Sequence, residues 1–294
     1  MADYLKIISD SFTGYWNYLI SEITTFAWHN YFWWLVGLSV LVWALELALP
    51  WRIEQKSIRR DFWLDGFYMF FNFFLFSLVG YNAISNVAVE AFGDLLGIVG
   101  ITNLVAIEVS SWPILVQFAL MFFIADFVQW NIHRLLHRVP WLWEFHKIHH
   151  SVKEMGFAAH LRFHWMETIV YKSIQYLPLG MIGFGIQDFF VLHIFTVAIG
   201  HLNHANVGWD YGPLKYFLNN PRMHIWHHAK DIPEDRKFGI NFGISLSLWD
   251  YIFGTAWIPK PGRYIELGYE DVDKMPTGFI AQTIRPFQAL FSRS

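Results

Sequence analysis

The sequence predicts an all-α membrane protein: a polytopic helical bundle of about four spans, the last two a tight hairpin, under a cytoplasmic histidine-rich cap. Three observations lead there. Of 294 residues, 55% are hydrophobic and only 15% charged, where a soluble domain carries nearer a quarter charged. Apolar stretches long enough to cross a bilayer recur along the chain. Most histidines fall in two blocks, 133–164 and 201–228, each directly after such a stretch.

In order, the N-terminal stretch has no basic start followed by an apolar run and a small-residue cleavage site, so no cleaved signal is expected. The terminal FSRS matches no lipidation or retrieval signal. Residues 31–51 hold one charge, Glu46, and form the first expected span, followed by Arg52, Lys56, Arg59 and Arg60. The uncharged, Phe-rich stretch 66–89 is the second. From Glu90 to Ser111 the chain is acidic but apolar, suggesting a surface or re-entrant piece. Residues 112–132, interrupted only by Asp126, make the third span and lead into the first histidine block. Thr168 to His204, with Pro178 and glycines 180, 183 and 185 near its middle, reads as a hairpin that enters the bilayer and returns. Arg134, Arg138, Lys147, Lys153 and Arg162 put the histidine block on the cytoplasmic side, in a bacterial inner membrane or endoplasmic reticulum. No repeat or linker divides the chain, so a single domain, 1–294, is expected.

Composition also excludes. A net charge of −3 gives no footprint for nucleic acid. With no cysteine, disulfides, thiolate zinc sites and iron–sulfur clusters are ruled out, and any metal must be held by nitrogen and oxygen.

The histidines form triplets. HRLLH places His133 and His137 on one helical face; HKIHH does the same for His146, His149 and His150, and HIWHH for His224, His227 and His228. Each set can present imidazoles to a common point. So many imidazoles exceed what one ion can bind, so two metals, a dinuclear site, are the economical reading, with iron, zinc and copper all open. HRLLH has Arg134 where a zinc protease would need its glutamate. A di-zinc membrane lipid hydrolase and a metal-binding membrane protein remain as readings from other classes. Metal-bound imidazoles donate their second nitrogen to an acceptor, and Asp126, Glu144, Glu167 and Asp250 are the candidate carboxylates, with helix capping an equal reading for Asp250. His160 and His201 are extra candidates, better read as outer or interfacial residues, and His29 and His193 as ordinary ones.

These motifs, with LRFH at 161–164, HAN at 204–206, GPLKYFLNNPRMHIWHH at 212–228 and NFGISLSLWDYIFGT at 241–255, resemble the fatty acid hydroxylase and sterol desaturase superfamily. The resemblance covers about Asp126 to Thr255. It implies a non-haem di-iron centre, with zinc a possible substitute, that uses O2 to hydroxylate or desaturate a lipid. By motif position the ligands would be His133, His137, His146, His149, His150, His224, His227 and His228, with His164 and His204 further ones. Superfamily members usually carry a proline where this chain has Trp165. With no flavin or nucleotide fingerprint, electrons must come from a separate carrier: a ferredoxin, a rubredoxin, or a b-type cytochrome with its reductase. Lys230, Arg236 and Lys237 could dock an acidic one, a solvated charged face being an equal reading.

Overall fold

The computed structural model describes residues 3–98, 100, 105, 109, 111–181 and 186–292. Their regular structure is helical: α1 (Tyr4–Thr24), α2 (Tyr31–Ala48), α3 (Phe62–Phe70), α4 (Asn82–Ile98), α5 (Ile114–Arg138), α6 (Pro140–His150), α7 (Trp165–Met181), α8 (Ile186–His204), α9 (Pro221–His227), α10 (Leu248–Ile252) and α11 (Phe279–Phe291). β-Pairing among the described residues is confined to two isolated bridges, Leu218 with Leu246 and Ala229 with Leu267.

Local chemistry sets the helix starts. The Asp3 side chain accepts from the Lys6 amide (3.1 Å) to open α1, and the Asn30 side chain accepts from the Trp33 amide (3.2 Å) to open α2. Each satisfies a backbone donor that the first turn leaves without a partner.

Among the described residues, two helices are long and apolar enough to cross a membrane, α2 with 18 residues and α5 with 25. Only 17% and 22% of their apolar windows are buried inside the protein. The core helix of a soluble domain would bury most of that surface, so these two are suited to lipid.

The stretch 66–89 is not the single straight span its composition suggests. After α3 come two π-helical turns, Phe71–Leu75 and Ser77–Tyr81, and Gly80 takes φ 147°, open to glycine because it has no Cβ. The Asn72 amide donates to the Leu161 and Phe163 carbonyls (3.1 and 2.8 Å), tying this broken segment to the loop before α7. Residues 90–98 continue α4, and most of the remaining acidic connection, Glu108 included, lies outside the described residues. So does the hairpin turn at 182–185, although α7 and α8 flank it as expected.

The packing converges on one end of the bundle. α5 lies against α6 and α7, α2 against α8, α8 against α9, and α11 against α6. Residues 205–278 wind over these helix ends in short turns. Around them a core of Val152, Met155, Ala159, Ile225, Trp226 and Ile240 excludes water from the cap.

Candidate metal centre

Four helix ends supply the histidines. The last turns of α5 carry His133 and His137; the chain then reverses at Val139, and Pro140, at a position where its missing N–H costs nothing, opens α6 with His146, His149 and His150. α8 ends on His204. Asn220 caps α9, its side chain accepting from the Met223 amide (3.0 Å), and that helix brings His224, His227 and the following His228.

Nine histidines gather into two groups. His133, His137, His146, His150 and His227 form one, and His149, His204, His224 and His228 the other; in each, one nitrogen per ring lies within 4.8 Å of all the others. The triplets therefore divide instead of converging on one point. The pairs four apart, 133/137, 146/150 and 224/228, stay together, while His149 and His227 cross to the opposite group.

Hydrogen bonds fix how the rings face. Nδ1 donates to a main-chain carbonyl in His133 (Phe242, 2.8 Å), His227 (Ile240, 2.8 Å), His149 (Arg162, 3.1 Å) and His204 (Gly200, 2.8 Å). In His146 it meets the Glu167 carboxylate at 2.8 Å. A proton held on Nδ1 leaves Nε2 as a bare acceptor. Yet the Nε2 atoms of His133 and His146 face each other at 3.2 Å, and those of His149 and His204 at 3.3 Å. The Nε2 atoms of His137, His150 and His227 are buried with no hydrogen-bond partner among the described residues. Lone pairs turned toward one another in a dry interior are costly. A cation between them removes the cost: ligands about 2.1 Å from a shared ion stand about 3.0 to 3.4 Å apart. The residues present fit two metal ions.

Residues 118–255, which contain all nine histidines, match the fatty acid hydroxylase family. The chain is 35% identical to an ornithine lipid hydroxylase of Rhizobium tropici, over 60% of this chain and 52% of the relative. It is 31% identical to the human alkylglycerol monooxygenase over 44% of this chain and 28% of the relative. With a sphingolipid C4-hydroxylase of Schizosaccharomyces pombe it shares 28% identity over 49% of each. The chain thus spans about half the length of these relatives, or less. No solved structure matches it.

Within the matched segment the four candidate carboxylates take different places. Glu167 reaches an imidazole directly. Asp126 does not meet His133, two turns above it; it is 2% exposed and accepts from the Ser245 and Leu246 amides (3.2 and 3.3 Å) and the Trp249 indole (2.9 Å), fastening that segment to α5. Asp250 accepts from the Phe242 and Gly243 amides (2.9 and 2.7 Å) and the Trp130 indole (3.0 Å), so it holds Phe242, whose carbonyl orients His133. Glu144 pairs with Lys147 (2.8 Å).

The structure does not place His164 with the ligand candidates. Its Nε2 donates to the Thr283 carbonyl (3.0 Å), its Nδ1 accepts from the Met166 amide (3.1 Å), and its ring packs on Phe145 and Phe287. His160 and His201 lie behind the four-histidine group. Their Nδ1 atoms meet at 3.0 Å, His201 Nε2 meets Ser39 Oγ at 3.1 Å, and the His160 ring packs beside His204. His193 Nδ1 meets the Tyr31 hydroxyl at 3.4 Å.

The four carbonyls that orient rings were missed in the sequence, since any residue supplies one. Gly200 leaves the single trace. A Cβ there would fall 2.2 Å from the His160 ring, so only glycine lets that ring pack on the turn holding His204. Arg162 is locked as well. Its guanidinium donates to Asp61 (2.9 Å), Asp65 (3.1 Å) and Ser151 (3.0 Å), while Asp65 also binds Arg59.

Burial holds His146, His150, His224, His227 and His228 well below the usual imidazole range, with neighbouring histidines adding to the effect, and holds His149 down to about 3. Unfolded imidazoles take up protons near 6.5; the folded ones resist until far lower, so acid favours the unfolded chain. For metal-free protein, stability is full above about 6.5 and falls steadily as pH drops toward 3. Thermal scans across that range check this; a midpoint that does not move with pH would contradict it. Glu167→Gln, which removes the charge behind His146, lowers metal affinity ten- to hundred-fold, read by competition with a chelator.

Proposed function

We propose that this chain is an integral membrane lipid hydroxylase, whose five- and four-histidine groups each hold one iron and which uses O2 and electrons from a separate carrier. One observation carries the reading: two adjacent, buried groups of imidazole nitrogens, without thiols, at the ends of helices suited to lipid. Imidazole suits iron, and no cysteine is present to be oxidised by the chemistry. The relatives are named for ornithine lipid, alkylglycerol and sphingolipid, so the substrate proposed here is a lipid with a polar head.

Two irons would supply the power to oxidise an unactivated C–H bond. The chain's own part is positional. Four main-chain carbonyls and Glu167 keep the bare nitrogens inward, Asp250 and Arg162 hold two of those carbonyls in place, and the cap core keeps out water. We add the 66–98 segment to the two candidate spans and take the α7–α8 hairpin as a pair of passes that enters the bilayer and returns to the same side, with the cap facing the cytoplasm. A docking place for the electron carrier is not assigned to the basic residues after His228. Lys230 is paired with Glu266 (2.9 Å), and Arg236 donates to the Ala256 carbonyl (3.1 Å).

The test compares membrane lipids, by mass spectrometry, between cells making the intact protein and cells making His149→Ala, alongside metal analysis of the purified protein. Lipids gaining one oxygen, with iron in the protein, support hydroxylation. Loss of two hydrogens instead would make it a desaturase. Zinc with ester cleavage would overturn the oxidative reading.

A further inference from the structure

A cavity of about 400 Å³ opens beside the start of α9, lined among others by Lys215, Lys260, Arg222, Tyr216, Tyr251 and Asn220. Its charge is unbalanced. Arg222 is paired with Asp210 (3.1 Å), whereas neither Lys215 nor Lys260 has a carboxylate partner among the described residues. The cavity also holds an unused donor. Asn220 is 0% exposed; its Oδ1 is committed to the Met223 amide, which fixes the orientation of the side-chain amide, and its Nδ2 has no partner among the described residues. Two ammonium groups outside any salt bridge and a buried N–H donor call for a ligand with negatively charged oxygens.

The surroundings say where that ligand comes from. Next to the cavity Leu214, Tyr216, Phe217, Ile252 and Phe253 are all exposed, between 40% and 59%. A cluster of this kind is unusual on a surface facing water. It belongs to the two segments that wrap the apolar helix α5: Phe217 packs on Phe123, and Phe253 on Phe127 and Trp130. Arg222 lies over Trp51, just beyond the end of α2. Exposed aromatic and aliphatic side chains packed along α5 beside lysines, with Arg222 just beyond the end of α2, are the composition of a membrane–water interface.

We infer that this cavity binds the anionic phosphate or carboxylate group of a bilayer lipid, with Leu214, Phe217, Ile252 and Phe253 set among its acyl chains. The inference rests on the lipid-hydroxylase reading and deepens it, because Asn220 stands one helical turn before His224. It makes the substrate class a lipid whose head carries negative oxygens.

The test measures binding of chain-labelled phosphatidylglycerol to the full chain in phosphatidylcholine nanodiscs, for the wild type and for Lys215→Gln/Lys260→Gln. Each lysine near a membrane surface contributes about fivefold, so the double variant binds about 25-fold more weakly. Inorganic phosphate, lacking acyl chains, does not displace the labelled lipid. Equal binding by the variant overturns the proposal, and displacement by inorganic phosphate at the lipid's own concentration overturns the lipid source. Iron content and lipid oxidation are read separately on the same samples. Binding without any oxidation would sink the hydroxylase reading and leave the headgroup site standing; oxidation with unchanged binding would sink the headgroup site alone.

Discussion

His137→Ala and His228→Ala each reduce bound metal from two equivalents per chain to about one, and each takes lipid oxidation to background. The two residues lie in different groups, and each ring packs against other imidazoles of its group. Alanine at either place leaves one group short of a ligand and the other intact. Two ions acting as a unit would leave the double variant no less active than either single one, the non-additivity expected of joint machinery. His193→Ala, far from both groups, keeps two equivalents and full activity. Metal analysis and oxidation assays on the same preparations check the set; retention of two equivalents in both single variants would show that the grouping is not a pair of metal sites.

The second large effect is on stability. Asp65 is 0% exposed and lies between Arg59 and Arg162, which are 4% and 2% exposed. Asp65→Asn keeps the shape and removes the charge, leaving two buried guanidiniums with only Asp61, itself partly exposed, beside Arg162. Breaking a buried ion pair from one side costs about 3–5 kcal/mol, so the melting temperature falls on the order of 10 °C. Since the Arg162 carbonyl accepts from His149, metal in the four-histidine group is held less tightly too. A melting temperature unchanged in a thermal scan would show that water already screens the cluster.

The legible part of this molecule was the part written in side chains. Triplet spacing located eight of the nine gathered histidines, and HAN supplied His204. Hydropathy placed α2 and α5 within a few residues. Four features were not legible. Asp126 lies on the helical face of His133, but a neighbouring segment reached it first with two amides and an indole, a long-range choice that periodicity cannot show. His164 lies close to the others in sequence, yet α11 gave it a carbonyl acceptor from 119 residues away. The composition of 66–89 suits a single span, whereas the position of Gly80 and the pull of Asn72 on a distant loop break it. Helix α1, packed on α4 with Tyr4 donating to Asp94 (3.0 Å), had no motif to mark it.

Four of the five contacts that orient imidazoles end on main-chain oxygens, at Arg162, Gly200, Ile240 and Phe242. Side chains at 240 and 242 could therefore be exchanged with the acceptor oxygen still in place, because every residue offers the same carbonyl. Chain length is different. One residue inserted between 238 and 242 would move two carbonyls out of register, turning His133 and His227 together and disarranging the five-histidine group. The cap should tolerate substitution along this strip far better than insertion or deletion.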